Sequence, residues 1–187
     1  KYVYNKIMSQ LKVDSIVPRA GMPSGSQGRI IQMKYTPVTN VISMGTNAAG
    51  TNMSAFDTQI SPTSTNSRFI IQLYCNVASS GGNTIGIMIR RNNSEIDAMR
   101  GDADNRPRYT GRGVTTWNGD SNHMHNYLIN VMDTPSTTNS ITYKAFFGVE
   151  GNHTMYLNRN RSNYNNTTAA HAGRTMSSML VMEVEGQ

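Results

Sequence analysis

The chain has 187 residues, a length typical of one domain with its own core, and only 15% of them are charged. Its 21 Asn, 19 Thr and 18 Ser residues suit strands and tight turns. The single cysteine, Cys75, excludes an intrachain disulfide framework and a cysteine-based zinc cluster. No apolar run approaches the ~20 residues of a membrane-spanning helix. With no visible signal peptide either, we expect no membrane insertion.

The net charge of +6 raises nucleic acid as a partner, because phosphates attract Arg and Lys. The basic residues are scattered along the chain, however, and form neither a dense run nor a motif with interleaved aromatic residues. Solvated loops, or contacts with acidic polymers, account for the charge more simply. We therefore expect no nucleic acid partner.

Alternation of apolar and polar residues with period two is the main structural signal. It is clearest from Phe69 to Val77, where every odd position is apolar, and it recurs in four later segments. Weaker candidate strands cover residues 30–35, 38–44, 53–60 and 155–158. The segments with clear alternation share an apolar face in each case: Ile85, Ile87 and Ile89; Tyr127, Ile129 and Val131; Ile141, Tyr143, Ala145, Phe147 and Val149; Met176, Leu180, Met182 and Val184.

Turn material rich in Gly, Ser, Asn and Pro separates these segments at regular intervals. One such turn, "SPTSTNS", runs directly into the strand that begins near Phe69. At least eight evenly spaced strands predict an all-β protein, an antiparallel β-sandwich of the jelly-roll type. Several outward positions are apolar as well, namely Met88, Leu128, Met132 and Phe146, and these would contact a second sheet or another subunit.

Residues 1–27 differ from the rest. Tyr4, Ile7, Met8 and Leu11 have helical spacing, but the segment is short for an independent helix. The Pro/Gly/Ser stretch "VPRAGMPSGSQG" follows and is typical of a linker. We expect an extended N-terminal arm over residues 1–27 and the β-sandwich over residues 28–187.

Three stretches carry a family resemblance: "SQLKVDSIVPRAGMPSGSQGRIIQMKY", "ISPTSTNSRFIIQLYCNV" and "MDTPSTTNSITYKAFFGVEG" with the later "RTMSSMLVMEVE". Together they resemble small virion structural and tail-fibre-like proteins of marine tailed phages, cyanophages especially. The resemblance covers most of the chain from Met8 onward, and its motifs are architectural. Two departures are Arg68, where Lys is more usual, and residues 1–7, which precede a Met8 that resembles the family's initiator.

The resemblance implies a non-enzymatic component of the virion, without a cofactor. It implies a fibre or appendage protein that forms a homotrimer, contacts other virion proteins and presents loops to a glycan on the host surface. In the arm, the residues expected to anchor the protein to the particle are Leu11, Val13, Ile16, Val17 and Pro18. The alternative is a capsid decoration or cementing protein without a receptor role.

The exposed aromatic residues are the best candidates for host contact. Tyr109 and Trp117 flank "TGRGVTT", and aromatic rings stack on sugars while Arg hydrogen-bonds hydroxyl groups. A second polar loop, "NRNRSNYNNTT", contains Tyr164. The expected contact residues are thus Arg106, Arg108, Tyr109, Arg112, Trp117 and Tyr164. The alternative places Trp117 in the core and the arginines in solvent.

Two further patterns have a weaker chemical interpretation. His123 and His125, at i and i+2, would point to one side of a strand, but two imidazoles are too few for a tetrahedral metal site. A threefold axis would gather six; half-buried structural histidines are the alternative, and we expect no metal. The "MRGDAD" segment suits a charged surface loop better than an adhesion or Ca²⁺ motif.

Catalytic motifs are missing from the sequence. His153 and His171 are isolated, with neither a nucleophile elbow nor a zinc-binding helix motif around them. Polysaccharide hydrolysis needs two carboxyl groups at a set separation, and no such pair is evident from the sequence. We therefore expect a protein that is not an enzyme, with a polysaccharide depolymerase as the less favoured alternative.

Overall fold

A computed structural model describes residues 29–45, 50–80, 84–96, 110–114, 123–149, 153–163 and 173–186. Every strand pairing within these residues is antiparallel. The predicted all-β antiparallel sandwich is therefore confirmed. A short 3-10 helix spans Ser54–Phe56, and the strands are β1 (Ile30–Val38), β2 (Ile42–Gly45), β3 (Thr51–Asn52), β4 (Thr58–Ile60), β5 (Arg68–Ser79), β6 (Thr84–Arg91), β7 (Ser94–Glu95), β8 (Gly111–Val114), β9 (His125–Asp133), β10 (Ile141–Val149), β11 (Thr154–Leu157) and β12 (Ser177–Val184).

The strands form two sheets. In sheet A, β5 pairs with β9 along one edge, and with β12 and then β11 along the other. The outer positions next to β12 and β11 are taken by β1 and β2. In sheet B, β10 and β6 form the centre; β4 and β3 pair with β10, and β8 and β7 pair with β6.

The strand order is that of a jelly roll. The main strands of sheet A run β1-β12-β5-β9, and those of sheet B run β4-β10-β6-β8. Numbered one to eight along the chain, these strands give the orders 1-8-3-6 and 2-7-4-5. Successive strands therefore cross repeatedly between the sheets, as in two nested Greek keys. The first and last main strands, β1 and β12, lie side by side in sheet A.

The core lies between the sheets and follows the predicted alternation. In β5 the residues Phe69, Ile71 and Leu73 are fully buried, and the whole apolar face of β10 is buried opposite them. Aromatic rings connect the layers: the ring centroids of Phe69 and Tyr143 are 5.8 Å apart. Burial of each large apolar side chain stabilises a fold by roughly 1.5–3 kcal/mol, so this alternation explains the stability of the sandwich.

In the last strand, β12, the side chains that face the core are not the ones that the apolar pattern of the sequence indicates. The sequence groups Leu180, Met182 and Val184 on an apolar face, yet all three lie outward and are only partly buried. The inward face carries Ser177, Met179, Val181 and Glu183 instead, all fully buried. In a strand, a shift of one residue exchanges the two faces. Inside the sandwich, Ser177 and Glu183 both find hydrogen-bond partners. These partners favour the orientation in which Ser177 and Glu183 face the core.

Glu183 is the buried charge that this orientation requires. Its Oε1 accepts hydrogen bonds from the Thr63 amide (2.7 Å), the Thr63 hydroxyl (2.6 Å) and the Ser67 hydroxyl. Its Oε2 accepts one from Gln32 Nε2 on β1, and the same Gln32 amide donates to the Ser61 carbonyl oxygen. The turn before β5, the edge strand β1 and the final strand β12 are thus joined by one carboxylate.

These hydrogen bonds control the protonation of Glu183. Burial by itself raises the pKa of the carboxyl, but the donors on Ser67, Thr63 and Gln32 outweigh it and hold that pKa below its ordinary value. A carboxyl whose pKa is lower in the folded than in the unfolded chain stabilises the fold above the unfolded pKa of about 4.3. That contribution disappears as the pH falls through the folded pKa.

A second buried carboxylate ties the two sheets together. Asp133, at the end of β9 in sheet A, accepts hydrogen bonds at 2.8 Å from Arg91 Nη1 and from the Tyr143 hydroxyl, which both belong to sheet B. Burial first, and then the negative charge of Asp133, raise the pKa of Tyr143. The strand registers pair Phe69 with both Glu183 and Asp133. The two carboxylates therefore flank Phe69 at the same end of the sandwich.

The predicted N-terminal arm, residues 1–27, lies outside the described residues, so its separation from the sandwich stays a prediction. The described part of the predicted sandwich domain begins at Arg29 and ends at Gly186. Within the described ranges, the structure has no helix long and apolar enough to span a membrane.

We expect Glu183→Gln to lower the free energy of unfolding at pH 7 by about 2–3 kcal/mol, the magnitude of hydrogen bonds to a charged group. In the variant, the NH2 group of the introduced Gln side chain replaces one acceptor oxygen of Glu183. The hydrogen bond that this oxygen accepts at present is therefore lost as well. Urea denaturation at pH 7 and pH 3 measures the effect. The wild-type advantage should shrink at pH 3, because this pH lies below the pKa of the carboxyl in the unfolded chain, which then binds a proton that the folded state binds less readily.

Glu185→Gln is the matched control, because Glu185 lies two residues away and its side chain forms an exposed ion pair with Arg29 at 3.7 Å. Such a pair contributes less than about 1 kcal/mol, so this variant should unfold almost like the wild type. A Glu183→Gln protein with an unchanged urea midpoint at pH 7 would contradict the structural role of the carboxylate.

Candidate functional surfaces

Most residues proposed for host contact lie outside the described residues: Arg106, Arg108, Tyr109, Trp117 and Tyr164. The exception is Arg112, which lies in β8, and the backbone register places it opposite Gly86 of β6. This edge of sheet B therefore carries one of the proposed contact positions. The role of the whole set stays a prediction, as does that of the anchoring residues Leu11, Val13, Ile16, Val17 and Pro18, which also lie outside the described residues.

The two strand histidines are placed differently from each other. His125 begins β9 opposite Val77 and is half-buried, and its Nε2 is buried without a hydrogen-bond partner in the described structure. His123 precedes the strand and is exposed. Across the described ranges, no group of three or more His, Cys, Asp or Glu side chains lies close enough to hold a metal ion. Within one chain, the described residues therefore offer His123 and His125 no third metal ligand.

Within the described part of the chain, two acids are buried, and both are held by structural contacts. Glu183 is fully buried among the donors of Gln32, Thr63 and Ser67, and Asp133 is bound to Arg91 and Tyr143. Their strands are separated by β5, which corresponds to about 10 Å between backbones. Both side chains point into the sandwich and hold its strands together. This pair thus provides no open site for a sugar substrate.

The start of the polar loop "NRNRSNYNNTT" is buried and has a structural role. Asn158 is fully buried, and its Nδ2 donates to the carbonyl oxygens of Val38 (2.7 Å) and Asn40 (3.0 Å). Its Oδ1 accepts from the Ser177 hydroxyl at 2.6 Å. With a φ of 60°, the backbone is left-handed, a conformation that Asn tolerates better than most residues. Asn158 therefore joins the β1–β2 connection to the start of β12.

Arg159 continues this buried network. Its guanidinium lies over the Tyr156 ring at 4.0 Å, donates to Ser43 Oγ at 2.8 Å, and reaches the carbonyl oxygens of Asn160 (3.0 Å) and Arg161 (3.3 Å). Burial lowers the pKa of this guanidinium from its ordinary value. The planar group satisfies donors in several directions while its face stacks, which a lysine cannot do. Sequence reasoning missed this role because nothing in the run "NRNR" distinguishes a buried arginine from a solvated one.

The outer face of sheet B is charged. Lys144 of β10 lies opposite Arg90 of β6, and each is paired with an acid: Lys144 with Asp57 at 3.8 Å and Arg90 with Glu95 at 3.5 Å. Arg90 also lies 4.2 Å from the centre of the Phe146 ring. Phe146 and its neighbour Met88, predicted as outward positions, are accordingly buried beneath this layer.

The outer face of sheet A is mainly apolar over three rows of residues, and the exposed Arg68 of β5 lies at the end of the same face. Strand register places Met33, Met182, Ile70 and Met132 in one row across β1, β12, β5 and β9. The next two rows are Tyr35, Leu180, Gln72 and Asn130, and then Pro37, Ser178, Tyr74 and Leu128. None of these twelve positions carries a charge. We call these twelve residues the uncharged face.

Large apolar side chains on the uncharged face are well exposed. Met33 is 66% exposed, Leu128 64%, Tyr35 55% and Met132 49%. The sequence identified Leu128 and Met132 as outward apolar positions, and both are. The contribution of β12 was missed because its apolar residues were assigned to the core. Nothing in the sequence of β12 alone shows that Glu183 is buried and that Leu180 and Met182 therefore face outward. That orientation depends on the polar partners of Glu183, which lie elsewhere in the chain.

Comparison with known proteins gives limited similarity. No protein-family model matches the chain, and no curated protein matches it. Among solved structures, one of infectious bursal disease virus, Gx strain, is similar to this chain with a sequence identity of 12% and a TM-score of 0.41. The match covers 94% of this chain and 45% of the viral chain. The VP2 subviral particle of the same virus is 11% identical with a TM-score of 0.36, over 83% and 40%. The chain thus spans less than half the length of these structures, and similarity of this size assigns neither family nor function.

We expect Arg159→Lys to lower the free energy of unfolding by about 1–2 kcal/mol, because it leaves buried carbonyl oxygens without donors and removes the stack on Tyr156. Arg161→Lys is the matched control, since Arg161 is exposed. Chemical denaturation of the three proteins checks this. Equal stability of the two variants would contradict the buried role of Arg159.

Proposed function

We propose that this protein is a non-enzymatic structural component of a tailed-phage virion. It is a fibre or appendage subunit that forms a homotrimer, is held on the particle by its N-terminal arm, and presents loops of the sandwich to the host surface. No cofactor takes part in this function. The sequence resemblance to marine-phage virion proteins supports the assignment.

One observation carries the proposal: the three stretches of resemblance meet at a single buried site. Gln32 comes from the first stretch, Thr63 and Ser67 from the second, and Glu183 from the third. Residues from motifs that are far apart in the chain thus form one hydrogen-bonded cluster. This cluster is architectural, which agrees with motifs that specify a rigid building block more than a catalytic centre.

The interior chemistry also favours a structural role. Both buried carboxylates, Glu183 and Asp133, bind side chains that hold strands together. Repeated weak contacts of several loops on one oligomer add up through avidity, so a trimer needs no deep binding pocket to attach to a cell. A rigid sandwich with polar loops and an anchoring arm suits this mode of action.

The alternative function is a capsid decoration protein, with which the uncharged face is equally compatible. A broad apolar sheet face suits stable packing within a particle as well as within a trimer. The two functions share the anchoring arm and differ in whether the free protein binds host cells.

We expect the arm variant Ile16→Asp with Val17→Asp to lose binding to particles that lack the protein, because two charges replace apolar anchoring residues. Co-sedimentation with the particles measures binding, and Ser24→Asp in the Gly/Ser stretch is the control. Deletion of residues 8–27 should have the same effect as the double variant. Retention of both altered proteins on the particle would contradict anchoring by the arm.

We expect Trp117→Ala or Tyr109→Ala to reduce binding of the free protein to host cells roughly 2- to 10-fold, since stacking of one aromatic residue is worth about 0.5–1.5 kcal/mol. Arg68→Ala, at an exposed position on the rim of β5, is the control. Circular dichroism verifies that each variant is folded. A wild-type protein that binds particles but not cells would favour the decoration function.

A further inference from the structure

Three arginine residues are connected by hydrogen bonds at one corner of sheet A. Arg159 follows β11, and its guanidinium donates to the carbonyl oxygens of Asn160 at 3.0 Å and Arg161 at 3.3 Å. Asn160 Oδ1 accepts a hydrogen bond from the Asn163 amide at 3.0 Å, and Asn163 Oδ1 accepts one from Arg174 Nη2 at 2.6 Å. We call these five residues the arginine corner.

The arginine corner lies on the outer side of the sheet. Strand register pairs Tyr156 of β11 with Ser43 of β2, and Met155 and Leu157, the neighbours of Tyr156, are buried in the core. Tyr156 therefore points outward, because side chains alternate along a strand. Since the guanidinium of Arg159 lies over the Tyr156 ring and donates to Ser43, it lies on this outer side too.

The arginine corner carries positive charge without an acidic partner. Residues 151–182 contain Arg159, Arg161 and Arg174 and no acidic residue, and residues 35–56, which include β2, contain no charged residue. Arg161 and Arg174 are both exposed. The ion pairs of the described ranges involve other basic residues, namely Arg29, Arg90, Arg91 and Lys144. An excess of positive charge is therefore built into this corner.

The fold holds these like charges near each other. Burial first, and then also the positive charge of Arg174, lowers the pKa of Arg159. Hydrogen bonds to Asn160 and Asn163 nevertheless keep both arginines in place. An anion bound at the corner would relieve the repulsion, because an opposite charge stabilises both guanidinium groups. The corner is thus preorganised for a negatively charged group.

The groups at the arginine corner suit an oxyanion carried on a sugar polymer. A guanidinium presents parallel N–H donors that match two oxygens of a carboxylate or of a tetrahedral oxyanion such as sulfate. The hydroxyl of Ser43 and the amide of Asn163 beside the arginines suit the hydroxyl groups of sugars. Nucleic acid fits less well, because its bases stack on open aromatic rings, whereas the Tyr156 ring has the Arg159 guanidinium over it at 4.0 Å.

We propose that the arginine corner binds the carboxylate or sulfate groups of an acidic polysaccharide on the host surface. The inference rests on the attachment role of the proposed function and names the class of glycan. Arg161 and Arg174 contact the anionic groups directly, since both are exposed. Arg159 is buried, adds its charge from within and holds the turn in place. Neutral polysaccharides are not ligands of this site.

Binding of the full-length protein to polymers of known charge tests the proposal. The probes are dextran sulfate and polygalacturonate, with neutral dextran as the reference. We expect the wild type to bind at least one acidic polymer and not dextran, and its affinity to fall as NaCl is added, because salt screens exposed charges. The polymer that binds more tightly distinguishes sulfate from carboxylate as the preferred group.

Exposed arginines of the corner provide the test variant. We expect Arg161→Gln with Arg174→Gln to weaken binding to the acidic polymer about 10-fold, because two charge-assisted contacts are lost. Arg29→Gln with Arg68→Gln is the matched control, since it also removes two exposed positive charges. These two residues lie at the start of β1 and β5, whereas β11 pairs with the far end of β5, roughly 30 Å away. The control should bind like the wild type, and circular dichroism verifies that both variants are folded.

Four results would overturn the inference: a wild type that binds neither acidic polymer, equal binding by the wild type and the Arg161→Gln with Arg174→Gln variant, an equal loss in the control, or tighter binding to single-stranded DNA than to both acidic polymers at the same salt concentration. The particle-binding test with Ile16→Asp and Val17→Asp does not depend on the arginine corner. Failure of the glycan site is therefore distinguishable from failure of the virion role.

Discussion

The buried carboxylate of Glu183 is the interaction on which the arrangement of this protein depends. A charge inside a sandwich is tolerated only when hydrogen bonds replace its hydration. Here Thr63 and Ser67 reach it from the turn before β5, and Gln32 reaches it from β1. The first and last main strands and the turn between the sheets are thereby brought to one point. The jelly-roll topology is closed where its first and last main strands, β1 and β12, pair.

The orientation of β12 follows from the same interaction, and so does the character of the surface. With Glu183 inside, the neighbouring Met182 and Leu180 must face outward, because side chains alternate along a strand. They join Met33, Ile70 and Met132 in an apolar layer on sheet A. A polar requirement in the interior thus creates an apolar exterior.

Polar residues reinforce the sandwich at both ends. Asp133, Arg91 and Tyr143 connect the sheets at the end where Glu183 lies. Further along β12, Asn158 connects the β1–β2 turn to Ser177. Such fully bonded networks define a unique packing more strongly than apolar contacts alone. The interior chemistry of the described chain is therefore directed to rigidity, in agreement with a building block of a larger particle.

The sequence by itself determined the all-β class, the sandwich and the core of β5 and β10. Apolar residues such as Phe69, Ile71 and Phe147 recur at every second position in these strands, and the same residues are buried. It also identified Leu128 and Met132 as outward apolar positions. Only the tertiary structure decided which face of β12 is inside and that Asn158 and Arg159 are buried. These outcomes depend on partners up to 151 residues away, such as Gln32 for Glu183, and Val38, which is 120 residues from Asn158. A local pattern reports the polarity of a side chain, whereas its burial is decided by distant donors and acceptors that only the folded chain brings together.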